Sequence, residues 1–317
     1  MNWLGKLSYK INGGMSVKKD WIAPLALLFV SFIWGATFVV VQNAMSFVGP
    51  FTFNGIRFLF AGIILLFVQM IFSKKASKQD IKQSSLAGLI VGFFLCVGYV
   101  LQTFGLLYTT SSKAGFLTGL SIVMVPILSF IFLKQKATIF IVLGIAVATA
   151  GLYLLTAGDS FQLNIGDILV LGCAVAFAAH ILVNGFFSKK ISPLLLSTSQ
   201  VLAVGIFSSI CAFLFEDWEK LFSVSLWTNQ SFLFALFLTS LFATSIAFFI
   251  QTSAQKHTSP TRVAIIFAME PVFAALTGVL VANEQLSISA IIGCLCIFLG
   301  MVFVELPSKT KKEAQAA

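Results

Sequence analysis

Three ionisable side chains lie inside apolar runs of this sequence, and Glu270 is the most deeply placed of them. It is about eight residues from the nearer end of its run, or ~12 Å along a helix. A charge at that depth in a bilayer costs roughly 2.5 kcal/mol or more, so the carboxyl group should face a bundle interior or a wet cavity. Such a group could bind and release protons. The alternative is a neutral acid hydrogen-bonded to helix backbone beside Pro271, whose missing N–H frees the carbonyl of Phe267.

His180 and Arg57 are the other two ionisable residues inside apolar runs. His180 could relay a proton, because an imidazole gains and loses one near neutral pH, and a packed, hydrogen-bonded core histidine is the alternative. Arg57 lies about six residues into its run, and its guanidinium could bind an anion or a carboxylate. Its alternatives are a side chain that snorkels to the membrane interface and a hydrogen bond between helices.

Several polar and aromatic residues fall at positions within the runs where they could contact a small molecule. Trp34 is near the middle of its run, whereas tryptophan usually marks the headgroup level. Any single Gln or Thr can instead join two helices, a contact worth ~0.6 kcal/mol. Most of the 35 phenylalanines are expected to face lipid or core, and they are not interpreted as an aromatic substrate site. The candidate cavity residues are Trp34, Thr37, Arg57, Tyr99, Gln102, His180, Gln200 and Gln251.

The composition places these residues in a membrane protein. Of the 317 residues, 59% are hydrophobic and only 10% are charged, whereas a soluble domain carries about 25% charged residues. The net charge of +9 does not indicate binding to nucleic acid, because the Lys and Arg residues lie between apolar segments and form no basic face. The five cysteines lie in apolar stretches without a C-x-x-C pair, so neither a disulfide framework nor a metal site is predicted.

Ten apolar segments approach or exceed the roughly 20 residues that a helix needs to cross the hydrocarbon core. Backbone groups cannot stay unpaired in lipid, and barrel strands have only about 9 to 11 residues, so we predict an all-α fold with ten transmembrane helices. The segment before the first span has no small-residue cleavage site, so that span is expected to remain uncleaved. The predicted spans are 22–44, 51–72, 85–107, 114–133, 139–156, 166–187, 193–215, 231–252, 262–281 and 287–305.

The distribution of basic residues predicts how the spans are oriented. Seventeen Lys and Arg residues lie in the N-terminal segment, the even-numbered connections and the tail, against only Lys113 and Lys220 in the odd-numbered connections. By the positive-inside rule, both termini are cytoplasmic. The chain is therefore expected to be a multi-pass protein of the inner, or plasma, membrane, with the lipid bilayer as a partner.

The two halves of the chain repeat each other. A shift of 143 positions places the first two spans on the sixth and seventh, with Arg57 on Gln200. A shift of 149 places the later spans on one another, with Gln102 on Gln251. The second shift also pairs glycines that we interpret as close-packing notches and not as hinges, namely Gly144 with Gly293 and Gly151 with Gly300.

Each half holds an odd number of helices, so the second half must enter the membrane upside down relative to the first. Inverted repeats give a protein two states of nearly equal energy, one open to each side, and this predicts alternating access. The predicted divisions are a cytoplasmic segment 1–21, a first five-helix repeat 22–156, a periplasmic connection 157–165, a second repeat 166–305 and a cytoplasmic tail 306–317.

Short motifs in both halves resemble the drug/metabolite transporter superfamily, in particular its ten-helix EamA-type permeases. The resemblance covers residues 22–305 and implies a central cavity between the halves and efflux of amino acids, other small metabolites or drugs. The first half has Lys134-Gln135-Lys136 where the second has Asn283-Glu284-Gln285, so the acidic turn is not duplicated. The motifs are SFIWGAT at 31–37, Arg57-Phe58, TSSKAG at 110–115, Glu270-Pro271 and Asn283-Glu284-Gln285.

The sequence favours a secondary transporter that exports small metabolites such as amino acids, with Glu270 and His180 as candidates for proton coupling and Pro271 as a helix break. It contains no P-loop or H-E-x-x-H motif, so an enzyme, a cofactor and a nucleotide-driven pump are not predicted. Three alternatives stay open: an efflux pump for drugs or cations, an intramembrane enzyme and a lipid-binding scaffold. A small-molecule substrate is the expected partner, and a homodimer is left open.

Overall fold

The computed structural model describes residues 3–72, 77–134, 137–155, 164–282 and 286–305. Within these ranges, side chains are described except at 3–20, 111–112, 281–282 and 305. Most of the predicted connection 157–165, the turn at 283–285 and the tail 306–317 therefore lie outside the described residues.

Every regular element in the described ranges is a helix, and these helices make ten apolar passes. Eight passes have 21 to 29 residues, enough to cross a membrane, and the fifth and tenth are shorter. The predicted all-α fold of ten transmembrane helices is confirmed. The helices are α1 Trp3–Ala44, α2 Pro50–Phe72, α3 Lys78–Leu106, α4 Ser111–Gly119, α5 Ser121–Leu133, α6 Ile139–Leu155, α7 Ile165–Ser188, α8 Pro193–Phe215, α9 Val224–Thr228, α10 Gln230–Ser240, α11 Ala247–Gln255, α12 Pro260–Phe267, α13 Glu270–Ala282 and α14 Ile288–Glu305, with a 3₁₀ helix at Trp218–Phe222 and a π-helical segment at Leu241–Ile246.

The fourth, eighth and ninth passes are interrupted, which the apolar pattern did not predict. The fourth consists of α4 and α5, which meet at Leu120, and the ninth consists of α12 and α13, separated by Ala268 and Met269. In the ninth, Pro271 lacks an N–H and its ring clashes with the carbonyl four residues earlier, so an α-helix cannot run straight through it. The eighth pass contains the π-helical segment between α10 and α11.

The interruptions of the fourth and ninth passes fall at matching places in the two repeats. The shift of 149 places Leu120 on Met269 and Ser121 on Glu270, so the first residue of α5 matches the first residue of α13. Discontinuous helices at the repeat interface are a recurring feature of transporters, because their ends can face a substrate near the midplane.

Helix packing repeats between the halves. The second pass packs on the seventh, which is its counterpart in the other repeat. The fifth pass packs on its own counterpart, the tenth. The third pass packs on the sixth, and the first packs on the eighth in the same way. Likewise, α4 and α5 contact α7, while α12 and α13 contact α1. Each contact thus recurs with the halves exchanged, as expected for a pseudo-twofold axis.

Glycines bring the fifth and tenth passes into backbone contact. A Cβ on Gly151 would lie 2.6 Å from the carbonyl oxygen of Gly293, and a Cβ on Gly300 would lie 2.6 Å from that of Gly144. Real Cβ atoms do not approach a backbone oxygen this closely, so only glycine fits. The prediction that these glycines are close-packing notches is confirmed.

Glu216 joins the second and seventh passes at the end of the bundle that we predict to be external. One carboxylate oxygen accepts a hydrogen bond from the Phe51 amide at 2.8 Å. The other accepts from the amide of Thr52 at 2.8 Å and from its hydroxyl at 2.7 Å. The carboxylate therefore caps the N-terminus of α2, where a negative charge also complements the helix dipole.

A Glu216→Gln substitution should lower the free energy of unfolding by about 1 to 2 kcal/mol. One of the two side-chain oxygens becomes an NH₂ group, which cannot accept from a backbone N–H and leaves a helix donor unpaired. Thermal unfolding of the purified protein in detergent measures the change. Glu219→Gln is the matched control, because Glu219 is exposed on the following 3₁₀ helix. Equal unfolding temperatures for the two variants would contradict the capping role.

Candidate functional site

A cavity lies between the two repeats at the level of the helix breaks. It contains about 770 Å³ of empty space, its mouth included. All three interrupted passes contribute to its wall, with Gly119 and Ser121 from the fourth, Gln251 from the eighth, and Glu270 and Pro271 from the ninth. The breaks thus bring polar side chains and helix ends to a site shared by both halves.

Seven of the eight predicted cavity residues line this cavity, and Gln200 does not. Glu270 and Pro271 also belong to its wall. The structure therefore brings together residues from the first, second, third, sixth, eighth and ninth passes. The seven are Trp34, Thr37, Arg57, Tyr99, Gln102, His180 and Gln251.

Gln200 lies behind His180 in a buried polar cluster of the second repeat. Its Oε1 is 2.9 Å from Nε2 of His180, and its amide nitrogen donates to the Thr252 hydroxyl at 3.1 Å. Asn184 also donates to Thr252, at 3.3 Å, and to the side-chain oxygen of Gln255. His180 therefore faces the cavity with one nitrogen already hydrogen-bonded, and Gln200 positions it without lining the cavity.

Arg57 is 2% exposed and points into the bundle, so the snorkelling interpretation is wrong. Its Nε donates to the hydroxyl of Thr244 at 2.8 Å. The guanidinium carbon lies 5.0 Å from the centre of the Tyr99 ring and 5.2 Å from that of Phe58, a cation–π arrangement. Among the residues that the structure describes, no carboxylate pairs with Arg57. Its positive charge is held by rings and neutral groups, which leaves it able to attract an anion.

The π-helical segment of the eighth pass holds two cavity side chains in place. The carbonyl oxygen of Ala243 accepts from Trp34 Nε1 at 2.8 Å and lies 3.5 Å from Nη2 of Arg57. Ser245 replaces a helix bond by donating to the Ser240 carbonyl at 2.8 Å. A π-helical turn frees carbonyl groups from the regular ladder and is frequent at functional sites. Here it connects the first half of the protein to the second through Trp34 and Arg57.

Aromatic rings form much of the remaining wall. The ring of Trp34 lies 4.9 Å from that of Phe267 and 5.5 Å from that of Phe248, and Tyr99 lies 5.3 Å from Phe177. With Phe38, four of the phenylalanines thus reach the cavity. Composition alone could not tell which rings face inward, and the expectation that most of the 35 phenylalanines face lipid or core stays a prediction.

Glu270 faces the cavity with a free carboxyl group. No described residue donates a hydrogen bond to it or forms an ion pair with it. Among the described residues of the cavity wall, it is the only Asp or Glu, and Arg57 is the only Lys or Arg. One acid and one base, not paired with each other, therefore face a common space. The described residues also contain no His, Cys, Asp and Glu cluster that could hold a metal.

Thr118 and Ser121 line the cavity and were missed by the sequence analysis. The repeat offered a signal for Ser121, because the shift of 149 places it on Glu270, whereas Thr118 falls on Phe267, which was not a predicted site residue. Thr118 accepts a hydrogen bond from Gln102 at 3.3 Å.

Comparison with known proteins agrees with this duplicated architecture. The EamA-like transporter family matches the chain twice, over residues 21–157 and 164–306, once in each half. The chain belongs to the EamA-like transporter family. As a member of this family with ten apolar passes, it is a multi-pass membrane transporter of the plasma membrane.

Individual relatives extend over nearly the whole chain. An uncharacterized transporter of Archaeoglobus fulgidus is 34% identical over 303 residues, which cover 95% of this chain and 92% of the relative. The uncharacterized transporter YetK of Bacillus subtilis is 27% identical, with 96% and 93% covered. A protein crystal structure superposes with a TM-score of 0.72 at 18% identity, covering 89% of this chain and 96% of its own. At that identity the likeness concerns the fold alone.

Proposed function

We propose that this protein is a secondary-active transporter that exports small metabolites, amino acids among them, by alternating access. The observation that carries the proposal is that one basic and one acidic side chain, Arg57 and Glu270, line one cavity and that neither forms an ion pair with a described residue. Charged groups in a membrane interior are expensive, and cavity-facing ones usually serve substrates or ions. A molecule with both a carboxylate and an amine would satisfy both groups at once.

The position of the cavity supports alternating access. It lies where the two repeats meet, and matched helix breaks in the fourth and ninth passes contribute Ser121 and Glu270 to it. Movement of one repeat against the other can then expose the same site to either side of the membrane in turn.

Proton coupling is assigned to Glu270, with His180 as a second group that could take part. Glu270 has no donor among the described residues to hold it permanently in one form, and it faces the space through which a substrate would pass. His180 reaches the same cavity, but its Nε2 is engaged by Gln200. The carboxyl group is therefore the better candidate for a proton that is exchanged during transport.

Export of cationic drugs is the less favoured candidate. A pump for cations would be expected to place two or more carboxylates in its cavity, whereas Glu270 is the only acid that lines this one. The guanidinium of Arg57 in the same wall would repel a purely cationic substrate.

Efflux from preloaded cells tests the proposal. Cells that overproduce the protein should release at least one radiolabelled amino acid several-fold faster than cells with an empty vector. An Arg57→Gln variant should lose most of this faster release, because a neutral amide replaces the cation. Glutamine is the residue that the second repeat carries at the matching position, Gln200. Amino-acid export would be rejected if cells with wild-type protein shown to be in the membrane released every amino acid no faster than the empty-vector cells.

A further inference from the structure

Gln251 has a buried side chain with no partner. It is 1% exposed and lines the cavity from the eighth pass. Its Oε1 is out of contact with solvent and accepts no hydrogen bond within the described part of the chain. Leaving a buried acceptor unpaired is costly, and in a native protein such an atom calls for an explanation.

The repeat explains how Gln251 came to lack a partner. Its counterpart Gln102 also lines the cavity, but Gln102 donates to the hydroxyl of Thr118. The position that matches Thr118 in the second repeat is Phe267, which has no polar atom. One glutamine is thus held by its own repeat, while the other lines the same cavity with a side-chain oxygen that has no donor among the described residues.

A second acceptor in the cavity has no donor either. The carboxyl group of Glu270 receives no hydrogen bond from any residue that the structure describes. Two acceptors without donors complement a group that is rich in N–H bonds, and a primary ammonium offers three. The single guanidinium of the wall, Arg57, suits the opposite end of a substrate.

We propose that Gln251 is a specificity-determining residue whose side-chain amide turns so that its oxygen accepts a hydrogen bond from a protonated amine of the substrate, in the cavity that Glu270 also lines. The inference rests on the proposed role of this cavity as the substrate site. Gln102, already bonded to Thr118, contributes little to the recognition of the amine. A substrate that lacks the amine leaves the Gln251 oxygen unpaired, and a site built around a hydrogen bond discriminates strongly against such an analogue.

Matched ligand pairs test the assignment. Purified wild-type protein in detergent is titrated with L-leucine and 4-methylpentanoate, and with L-phenylalanine and 3-phenylpropanoate, with thermal stabilisation as the measure of binding. The wild type should prefer the amine-bearing member of at least one pair by about tenfold or more, as expected for a hydrogen bond to a charged group. Gln251→Leu should lose most of that preference. The matched control Gln69→Leu should keep it, because Gln69 also has a buried, unpaired side-chain oxygen but is not among the residues that line the cavity.

The unfolding temperature of the Gln251→Leu variant without ligand is a second measurement, and its expected change differs from that for a structural glutamine. Replacing an unpaired buried amide with leucine should leave the unfolding temperature of Gln251→Leu equal to that of the wild type or higher, whereas a structural glutamine would lower it. The inference is overturned if the folded Gln251→Leu protein keeps the amine preference, or if no amine-bearing ligand stabilises the wild type. An intact preference in detergent without transport in proteoliposomes would reject the proposed function and leave the inference standing.

Discussion

Substitution of Glu270 by glutamine should abolish uphill transport driven by a pH gradient while exchange down a concentration gradient stays within about tenfold of the wild type. Glutamine has nearly the shape of a protonated glutamate and its oxygen still accepts a hydrogen bond, but it cannot release a proton. Glu270 is the only Asp or Glu among the lining residues that the structure describes, so none of the others offers a carboxyl group to replace it.

Proteoliposomes separate the two activities. With one proton exchanged per substrate, a gradient of one pH unit sustains a concentration ratio of about ten, and the Glu270→Gln protein should equilibrate at a ratio of about one. Counterflow of labelled substrate in the absence of a pH gradient measures exchange.

Glu216→Gln is the control for the loss of a carboxylate. Glu216 caps α2 outside the cavity, so its substitution should lower stability and leave uphill transport intact. Uphill transport by Glu270→Gln on a pH gradient would remove the coupling role. A loss of exchange as large as the loss of uphill transport would assign Glu270 to substrate binding alone.

The ten passes and the inverted repeat could be predicted because both depend on physics that acts over many residues. Burying a backbone in lipid requires long apolar helices, and their number and order can be counted in the sequence. The breaks at Leu120 and at Ala268 could not be found in this way, because two short helices in line have the same apolar pattern as one long helix. Pro271 marked the second break, but Gly119 near the first is as common in packed helices as in interrupted ones.

Residues of the site could be predicted from the cost of polar groups in a membrane, but their directions could not. Gln200 shows the difference. A Cβ on Gly92 would lie 2.9 Å from the backbone oxygen of Gln200, so α3 and α8 approach closely there. With α3 seated against that backbone, the Gln200 side chain bonds to His180 and Thr252 and does not reach the cavity. Rotation of a helix about its axis depends on such contacts and not on the residue's own type.

The sequence also could not show that the side-chain oxygen of Gln251 lacks a hydrogen-bond donor among the described residues. The repeat pairs Gln102 with Gln251 and Thr118 with Phe267, but only coordinates show that Gln102 bonds to Thr118 and that Gln251 has no substitute. Alignment of the two repeats is informative about function where a side chain has a hydrogen-bonding partner in one half and its counterpart in the other half has none among the described residues.

Placing alanine at Gly151 should strongly destabilise the protein, because the added methyl group would meet backbone atoms of α14. The added Cβ would lie 2.6 Å from the carbonyl oxygen of Gly293 and 2.8 Å from both the Cβ of Cys296 and the amide nitrogen of Ile297. Backbone atoms of α14 cannot move aside as a flexible side chain can, so α6 and α14 must separate. Overpacking of this kind costs about 1 to 3 kcal/mol, and a contact with backbone belongs at the upper end of that range or above it.

Gly185→Ala is the matched control, because it adds the same methyl group in a helix where the new Cβ would meet only the Pro260 ring at 3.5 Å, an ordinary contact. Alanine favours a helix over glycine by up to about 1 kcal/mol, so this variant should be neutral or more stable than the wild type. Thermal unfolding in detergent and the yield of monodisperse protein compare the two. Equal stability of Gly151→Ala and Gly185→Ala would mean that the fifth and tenth passes do not pack through their glycines. Some contact other than the glycines would then have to hold this helix pair, which joins the two repeats at this edge, together.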